Sequence, residues 1–167
     1  MNGTPVSFLL ALHLVSAIAT GCASSSGVRL NAEQEAAIRD TLLSVTAAYN
    51  AAWEELDFER ISAFHAADFT YYRRGVVDSD SHADFARAYH ENVATQITAY
   101  WASASDIWVK VLGPDAVLVA FLFRGGVETP DGARHDYNGA LTYAFERHGG
   151  QWRITHIHES AYVPGSP

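Results

Sequence analysis

The sequence GGQWRITHIHES, residues 149–160, lies near the end of the chain and contains the most informative pattern for the fold. Its two glycines supply the positive φ angles that a tight hairpin turn requires. The residues after them are rich in β-branched and aromatic side chains, which predicts a strand. Alternate strand residues point to opposite faces, so His156 and His158 share one face and Glu159 lies on the other.

The length of this turn decides which face of the strand meets the core. A two-residue Gly-Gly loop pairs Tyr143 with His156. A three-residue loop with a bulge shifts the register by one and groups Tyr143 with Ile157 and Glu159. The residues alone leave both registers open, and with them the face that His156 and His158 occupy.

Three more strand-like segments precede this one, at residues 96–112, 116–128 and 134–148. The short connections between the four segments, GPD, TPDGA and GG, consist of residues that favour turns. Four successive strands with short turns predict an antiparallel meander.

A long helix is predicted from Asn31 onward. Asn31 and Gln34 have the spacing of a capping box, in which each residue satisfies a backbone amide of the other. Apolar residues step by three or four positions and so lie on one stripe that faces the core. This stripe consists of Ile38, Leu42, Val45, Tyr49, Ala52 and Leu56.

Two shorter helices and two short strands complete the predicted elements. The second helix begins at Asp57 as its N-cap and runs to His65. Residues 68–77, DFTYYRRGVV, predict two short strands around a turn. The third helix follows, capped by Asp80 or Ser81.

This order of elements predicts an α+β domain. Three N-terminal helices come first, and a bent sheet with one face to bury follows. We therefore expect the helices to pack on the concave face of a strongly curved, mostly antiparallel sheet. Such a cone leaves a cavity at one end.

The overall composition restricts the class of protein. The chain has 167 residues, 49% hydrophobic and 18% charged, which is typical of one globular domain. Its formal net charge of −8 would repel a phosphate backbone, so we expect no nucleic-acid partner. The single cysteine, Cys22, excludes an intramolecular disulfide and a cysteine-based zinc cluster.

The N-terminal segment predicts export. Residues 6–19 form an apolar run that is short for a membrane span, and small residues follow it. The sequence ATGC resembles a bacterial lipobox, which implies cleavage before Cys22 and a lipid on that residue. Ordinary secretion is the alternative. The resemblance implies a protein of the bacterial periplasm or cell envelope that contacts the membrane only through this lipid.

These segments give the expected domain boundaries. The export signal covers residues 1–22, a Ser/Gly-rich tether covers 23–30, the folded domain covers 31–163, and a tail covers 164–167.

Between residues 33 and 162 the chain resembles the nuclear-transport-factor-2-like superfamily, in particular its SnoaL-like branch and the association domains of calmodulin-dependent kinases. The matching stretches are YNAAWEELDFERISAFHAADFTYY at 49–72, LGPDAVLVAF at 112–121, and the GGQWRITHIHES stretch. The resemblance implies the cone-shaped fold. Members include dehydratases, isomerases, cyclases, binding proteins and oligomerisation modules, so the fold does not choose a function.

The resemblance has consequences for single residues. It favours the bulged register, which places His156 and His158 on the outer face of the sheet, where many relatives form a dimer. The kinase association domains have pocket arginines at positions that correspond here to Phe123, Tyr143 and Glu159, so their anion pocket is not reproduced. The aspartate base of ketosteroid isomerases is also missing, because Tyr72 and Arg73 stand at about its position.

The candidate catalytic residues are Glu159 as general base, His90 as an alternative base, and Tyr49 or Tyr143 as a donor. Aromatic side chains that either line a ligand pocket or fill the core are Trp53, Tyr72, Phe123 and Tyr143.

Three functions remain open. The first is a homodimeric domain that binds a small apolar or ring-bearing molecule, the second is a lyase, isomerase or hydrolase, and the third is a non-catalytic oligomerisation or interaction module. His156 and His158 resemble half of a zinc site, with His135, Asp136 or Glu146 as the third ligand, but we expect a structural pair. No metal and no cofactor is predicted.

Overall fold

The computed structural model describes residues 29–73 and 76–162. The predicted export signal, Cys22, the tether up to residue 28 and the predicted tail lie outside these ranges. In the part of the chain that is described, no helix is both long and apolar enough to cross a membrane.

The first helix, α1, spans Ala32–Glu54 and begins as predicted. Asn31 Oδ1 accepts a hydrogen bond from the amide of Gln34 at 2.8 Å, and Gln34 Oε1 accepts one from the amide of Asn31 at 2.9 Å. The capping box therefore satisfies amides that the first helical turn leaves without partners. The buried side chains of α1 are Ile38, Leu42, Thr46, Tyr49 and Ala52.

The second helix, α2, spans Phe58–Ser62 and is capped by Asp57, as predicted, but it ends before His65. His65 is instead the first residue of strand β1, His65–Arg73. The chain leaves the helix here because the Phe64 carbonyl accepts a hydrogen bond from the amide of Ile154, at 2.8 Å. Pairing with the last strand thus replaces the final turn of the predicted helix.

Strand β2, Val76–Ser79, leads into the third helix, α3, His82–Ala88. Ser81 is the N-cap, since its side chain accepts a hydrogen bond from the amide of Asp84. The helix continues through a π-helical turn at Tyr89–Val93 and a short α-helix, α4, at Ala94–Gln96.

Four long strands form the rest of the domain: β3 at Ala99–Gly113, β4 at Ala116–Glu128, β5 at Arg134–His148 and β6 at Gln151–Tyr162. The sheet order is β2-β1-β6-β5-β4-β3. All neighbouring strands are antiparallel except β1 and β6. The predicted α+β class and the antiparallel meander are confirmed.

The register of β5 and β6 combines features of the two expected alternatives. The turn is a two-residue loop, because His148 pairs with Gln151. Further along, the pairing shifts by one residue, and Thr155 is the extra residue of a β-bulge. Tyr143 therefore pairs with Ile157, but the shift arises inside the strand and not in the loop.

The bulge also reverses which side chains of β6 point inward. Before it, Trp152 and Ile154 are buried, and after it Ile157 is buried while His158 is exposed. Strict alternation along the whole of β6 would place Trp152 and Ile154 on the same face as His156 and His158, and the bulge prevents this. The outer face carries the histidines, as the bulged register predicts.

The helices pack against the inner face of the curved sheet. Tyr49 of α1 makes an edge-on contact with Tyr143 of β5, with ring centroids 5.5 Å apart. Arg39 Nη1 donates a hydrogen bond to the Val109 carbonyl of β3 at 3.0 Å. Alternate residues of β4, from Val117 to Phe123, complete the buried core.

Candidate functional site

A cavity of about 520 Å³ lies between α1, the segment from α3 to α4, and the inner face of the sheet. Small-molecule sites have volumes of roughly 300–1,000 Å³. Nine of the side chains that line the cavity are tyrosine, tryptophan or phenylalanine. The predicted residues Tyr49, Trp53, Phe123, Tyr143 and Glu159 all belong to this lining.

Glu159 and Tyr71 form the polar pair of the cavity. The Tyr71 hydroxyl donates a hydrogen bond to Glu159 Oε2. The parallel pairing of β1 with β6 brings the two together, because Tyr71 is level with Ile157 and Arg73 with Glu159. Burial, and then the negative charge of Glu159, raise the pKa of Tyr71 well above its ordinary value. Tyr71 therefore stays neutral and acts as a donor.

Arg73 and Asp78 lie beside this pair at the β1–β2 end of the cavity. Arg73 Nη2 is 2.6 Å from Asp78 Oδ1. The guanidinium also lies over the Tyr71 ring, 5.8 Å from its centroid. Arg73 is thus held by an ion pair and an aromatic ring.

Tyr49 and His65 form a second polar pair, behind the cavity wall. The Tyr49 hydroxyl and His65 Nε2 are 2.9 Å apart. The buried His65 ring is stacked on Phe69, with centroids 3.9 Å apart, and its Nδ1 has no partner among the described residues. Burial lowers the pKa of His65 to about 3 and raises that of Tyr49. His65 is therefore a neutral hydrogen-bond partner that holds the Tyr49 hydroxyl.

Tyr143 forms the back of the cavity. Its hydroxyl donates to Asn50 Oδ1 at 3.3 Å, and its ring lies edge-on to Tyr49 and Phe121. Burial, and then the neighbouring Tyr49, raise the pKa of Tyr143 well above its ordinary value. At neutral pH the back wall is therefore uncharged.

Tyr100 and Tyr137 line the cavity and were not predicted from the sequence. Tyr100 lies 5.7 Å from the Trp53 ring, and burial raises its pKa to about 12. Tyr137 lies 5.9 Å from the Phe123 ring. The alternation of β5 contained the signal for Tyr137, because counting back by twos from Tyr143 reaches it.

Two predicted site residues lie outside the cavity. Tyr72 is 43% exposed and makes an edge-on contact with the outer-face His156 at 5.1 Å. Its neighbour Tyr71 points inward instead, since successive strand residues alternate. His90 is exposed and packs on Phe58, because the helix turns Tyr89 toward the cavity. Neither Tyr72 nor His90 is positioned to reach a ligand there.

The two outer-face histidines have separate surroundings. His156 Nδ1 lies 2.8 Å from the Thr70 hydroxyl, while His158 is exposed. Partial burial, and then the proximity of His158, lower the pKa of His156. Within residues 29–73 and 76–162, no three His, Cys, Asp or Glu side chains are grouped to hold a metal ion.

Comparison with protein families gives a match over residues 38–163 to the calcium/calmodulin dependent protein kinase II association domain. The chain belongs to this family. Members of the association-domain family and their structural neighbours share the cone-shaped fold described above. A comparison with curated proteins found no match.

Solved structures resemble the whole domain at low sequence identity. A nuclear transport factor 2-like superfamily protein from Salmonella enterica has 12% identity and a TM-score of 0.70, covering 79% of this chain and 96% of its own. The association domain of C. elegans calcium/calmodulin dependent kinase II has 20% identity and a TM-score of 0.61, covering 78% and 99%. A hexachlorocyclohexane dehydrochlorinase, LinA type 2, has 9% identity and a TM-score of 0.68, covering 80% and 90%. These likenesses show the nuclear-transport-factor-2-like fold.

Proposed function

We propose that this association-domain protein is an exported, lipid-anchored domain whose cavity binds a small apolar or ring-bearing molecule. The observation that carries the proposal is the cavity of about 520 Å³ with aromatic walls and few charged groups. Ligand sites in proteins have this composition, in which apolar walls supply affinity and a few polar groups fix orientation.

The size of the cavity favours a ligand site over a filled core. Protein interiors are close-packed, and few of their voids exceed one water molecule. One water occupies about 30 Å³ of the liquid, so a cavity of this size corresponds to more than ten waters. Aromatic walls make poor hydrogen-bond partners for that much water, and an apolar ligand that displaces it gains the hydrophobic contribution.

A matched pair of substitutions tests ligand binding at this place. Leu141 lines the cavity, and Leu141→Trp is expected to fill part of it. Leu122, half exposed on the outer face of the neighbouring strand, provides the control Leu122→Trp. Ring-bearing molecules are screened by ligand-observed NMR against the full chain. Hits are expected to lose binding in Leu141→Trp and keep it in Leu122→Trp, and equal binding to both variants would contradict the proposal.

A second candidate is a lyase, isomerase or hydrolase that uses Glu159 as its general base. The favouring observation is that Glu159 lines the same cavity as the hydroxyl-bearing Tyr49 and Tyr143. A carboxylate can accept a proton from a substrate carbon or water. A neutral tyrosine whose hydroxyl exchanges its protein partner for the substrate can donate a hydrogen bond to the developing charge.

Proton exchange tests this base without knowledge of the natural reaction. Cyclic ketones in deuterated buffer report removal of α-protons through their NMR signals. Catalysed exchange that disappears in Glu159→Gln and persists in Glu146→Gln, an exposed glutamate on β5, supports the candidate. Exchange no faster than in buffer, or unaffected by Glu159→Gln, counts against it.

The outer face of the sheet is proposed to form a homodimer. One cross-strand row on this face runs through Tyr72, His158, Thr142, Ala120 and Trp108. Its outer strands present large exposed rings, with Trp108 54% exposed, while the centre carries small side chains. A partly apolar surface suits a symmetric contact between two copies. The family description as an association domain agrees with this.

Light scattering tests the dimer. His156→Asp, next to this row, places a charge in the contact and is expected to give monomers. Glu146→Asp keeps the charge at an exposed site and is expected to leave the dimer intact. A dimer that survives His156→Asp would remove this face from the proposal.

Export and lipid anchoring rest on the N-terminal sequence. Fractionation of bacterial cells that express the full chain is expected to place it in the membrane fraction, and mass spectrometry is expected to find a lipid on Cys22. Cys22→Ser should release the protein. A soluble wild-type chain that retains residues 1–21 would contradict both parts.

A further inference from the structure

The cavity lining carries more acidic than basic side chains. Among the described residues, its lining has three carboxylates, on Asp78, Asp136 and Glu159, and one guanidinium, on Arg73. Arg73 is already paired with Asp78, at 2.6 Å. With His135 counted as neutral, negative formal charges exceed positive ones in the lining. This balance disfavours an anionic ligand and favours a cationic one.

Glu159 is the carboxylate that a cation would meet inside the cavity. It is half-buried, whereas Asp136 is exposed. Its Oε2 accepts the Tyr71 hydroxyl, and no ion pair to Glu159 is found within the described ranges. A carboxylate that loses hydration on burial is stabilised by a positively charged partner.

The negative charge of Glu159 acts on five of the six tyrosines that line the cavity. After burial, which is the larger cause, it contributes to the raised pKa of five cavity tyrosines. These are Tyr49, Tyr71, Tyr100, Tyr137 and Tyr143.

The tyrosines present rings rather than free hydroxyls to a ligand. Six tyrosines line the cavity, and the hydroxyl groups of four of them are engaged with protein atoms. The partners are His65 Nε2 for Tyr49, Glu159 for Tyr71, the Leu56 carbonyl for Tyr89, and Asn50 for Tyr143. The remaining surface of these side chains is aromatic carbon. Aromatic rings with a carboxylate nearby attract cations, and quaternary ammonium groups most clearly, because such a cation needs no hydrogen bond.

We propose that the cavity selects a ligand with a cationic ammonium head attached to an apolar or ring-bearing body. The head lies against Glu159 and the surrounding rings, and the body lies toward Trp53 and Phe123. This inference rests on the proposed ligand-binding function and specifies the charge of the ligand.

Three probes of nearly equal shape test the charge preference. Phenyltrimethylammonium, tert-butylbenzene and benzenesulfonate each join a phenyl ring to a tetrahedral head, and they carry positive, zero and negative charge. Dissociation constants for the full chain are measured by ligand-observed NMR. The ammonium probe is expected to bind at least about tenfold more tightly than tert-butylbenzene, and benzenesulfonate is expected to bind more weakly than both.

The variant Glu159→Gln tests whether this carboxylate is the source of the preference. The change keeps size and removes the charge, so the advantage of the ammonium probe is expected to fall to about threefold or less. Unchanged binding of tert-butylbenzene shows that the variant is folded and its cavity intact.

The outcomes separate this inference from the proposed function. Equal or tighter binding of tert-butylbenzene or benzenesulfonate would overturn the cation preference and leave ligand binding in place. A preference that survives in Glu159→Gln would also overturn the inference. If none of the three probes binds, both this inference and the proposed function fail.

Discussion

Mild acid is expected to destabilise the domain through the buried imidazole of His65. This side chain is stacked on Phe69, and its Nδ1 has no partner among the described residues. Burial lowers its pKa from 6.5 to about 3, with the nearby His82 as a smaller cause. A proton on this ring therefore costs the folded chain more free energy than the unfolded chain.

The pH window follows from these two pKa values. As the pH falls below 6.5, the unfolded chain binds a proton at His65 and the folded chain does not, so stability is lost as the pH falls. The loss continues until the folded chain also binds the proton, near pH 3. Between about pH 7.5 and about pH 5 it amounts to about 2 kcal/mol, and it approaches about 5 kcal/mol below pH 3.

Urea denaturation at these two pH values measures the effect. In His65→Gln the side-chain amide stays neutral at both pH values, and it can still form a hydrogen bond with the Tyr49 hydroxyl. His90→Gln makes the same change on an exposed histidine and is the matched control. Between the two pH values, the free energy of unfolding of the control is expected to fall by about 2 kcal/mol more than that of His65→Gln. Equal losses in the two variants would show that His65 is not the source of the pH dependence.

Two further predictions concern the packing that shapes the domain, and both are checked by the free energy of unfolding. Leu42→Ala removes a fully buried side chain and should lower the free energy of unfolding by about 2–5 kcal/mol. Leu43→Ala, on the more exposed side of the same helix, should lower it by less than about 1 kcal/mol. Similar losses in the two variants would contradict the packing of α1. Gly139→Ala would bring a Cβ within 2.0 Å of the Ser160 carbonyl oxygen and should cost about 1–3 kcal/mol or more. Gly113→Ala, with open space around it, is its control, and a tolerated Gly139→Ala would contradict the close approach of β5 and β6.

Local patterns predicted the elements that depend on neighbouring residues. The capping box of Asn31 and Gln34 and the apolar stripe of α1 involve residues three or four positions apart, so the sequence displays them directly. The turns of the meander depend on a few Gly, Pro and Asp residues, and these also lie within short windows.

Features set by distant pairing were not visible in this way. The end of α2 depends on a hydrogen bond between Phe64 and Ile154, which are far apart in the chain. The bulge at Thr155 appears only when β5 and β6 are aligned, because either register leaves an acceptable pattern of side chains.

The cavity residues could be predicted from the sequence only where the register of the strands could be predicted. Resemblance to the superfamily placed Tyr143 and Glu159 on the inner face, and both line the cavity. Tyr71 and Tyr72 are adjacent tyrosines on β1. An error of one residue in the register therefore led to the prediction of the exposed Tyr72 in place of Tyr71, which lines the cavity. The partnership of Tyr49 with His65 depends on β1 starting early, which local sequence did not indicate.

A crystal structure of the full chain with phenyltrimethylammonium would show whether this cavity is an open ligand site. We expect electron density for the probe inside the cavity, with its ammonium head beside Glu159 and its ring against the tyrosines. A cavity closed by its own side chains, with the probe bound elsewhere or absent at saturating concentration, would show that the cavity is not a ligand site.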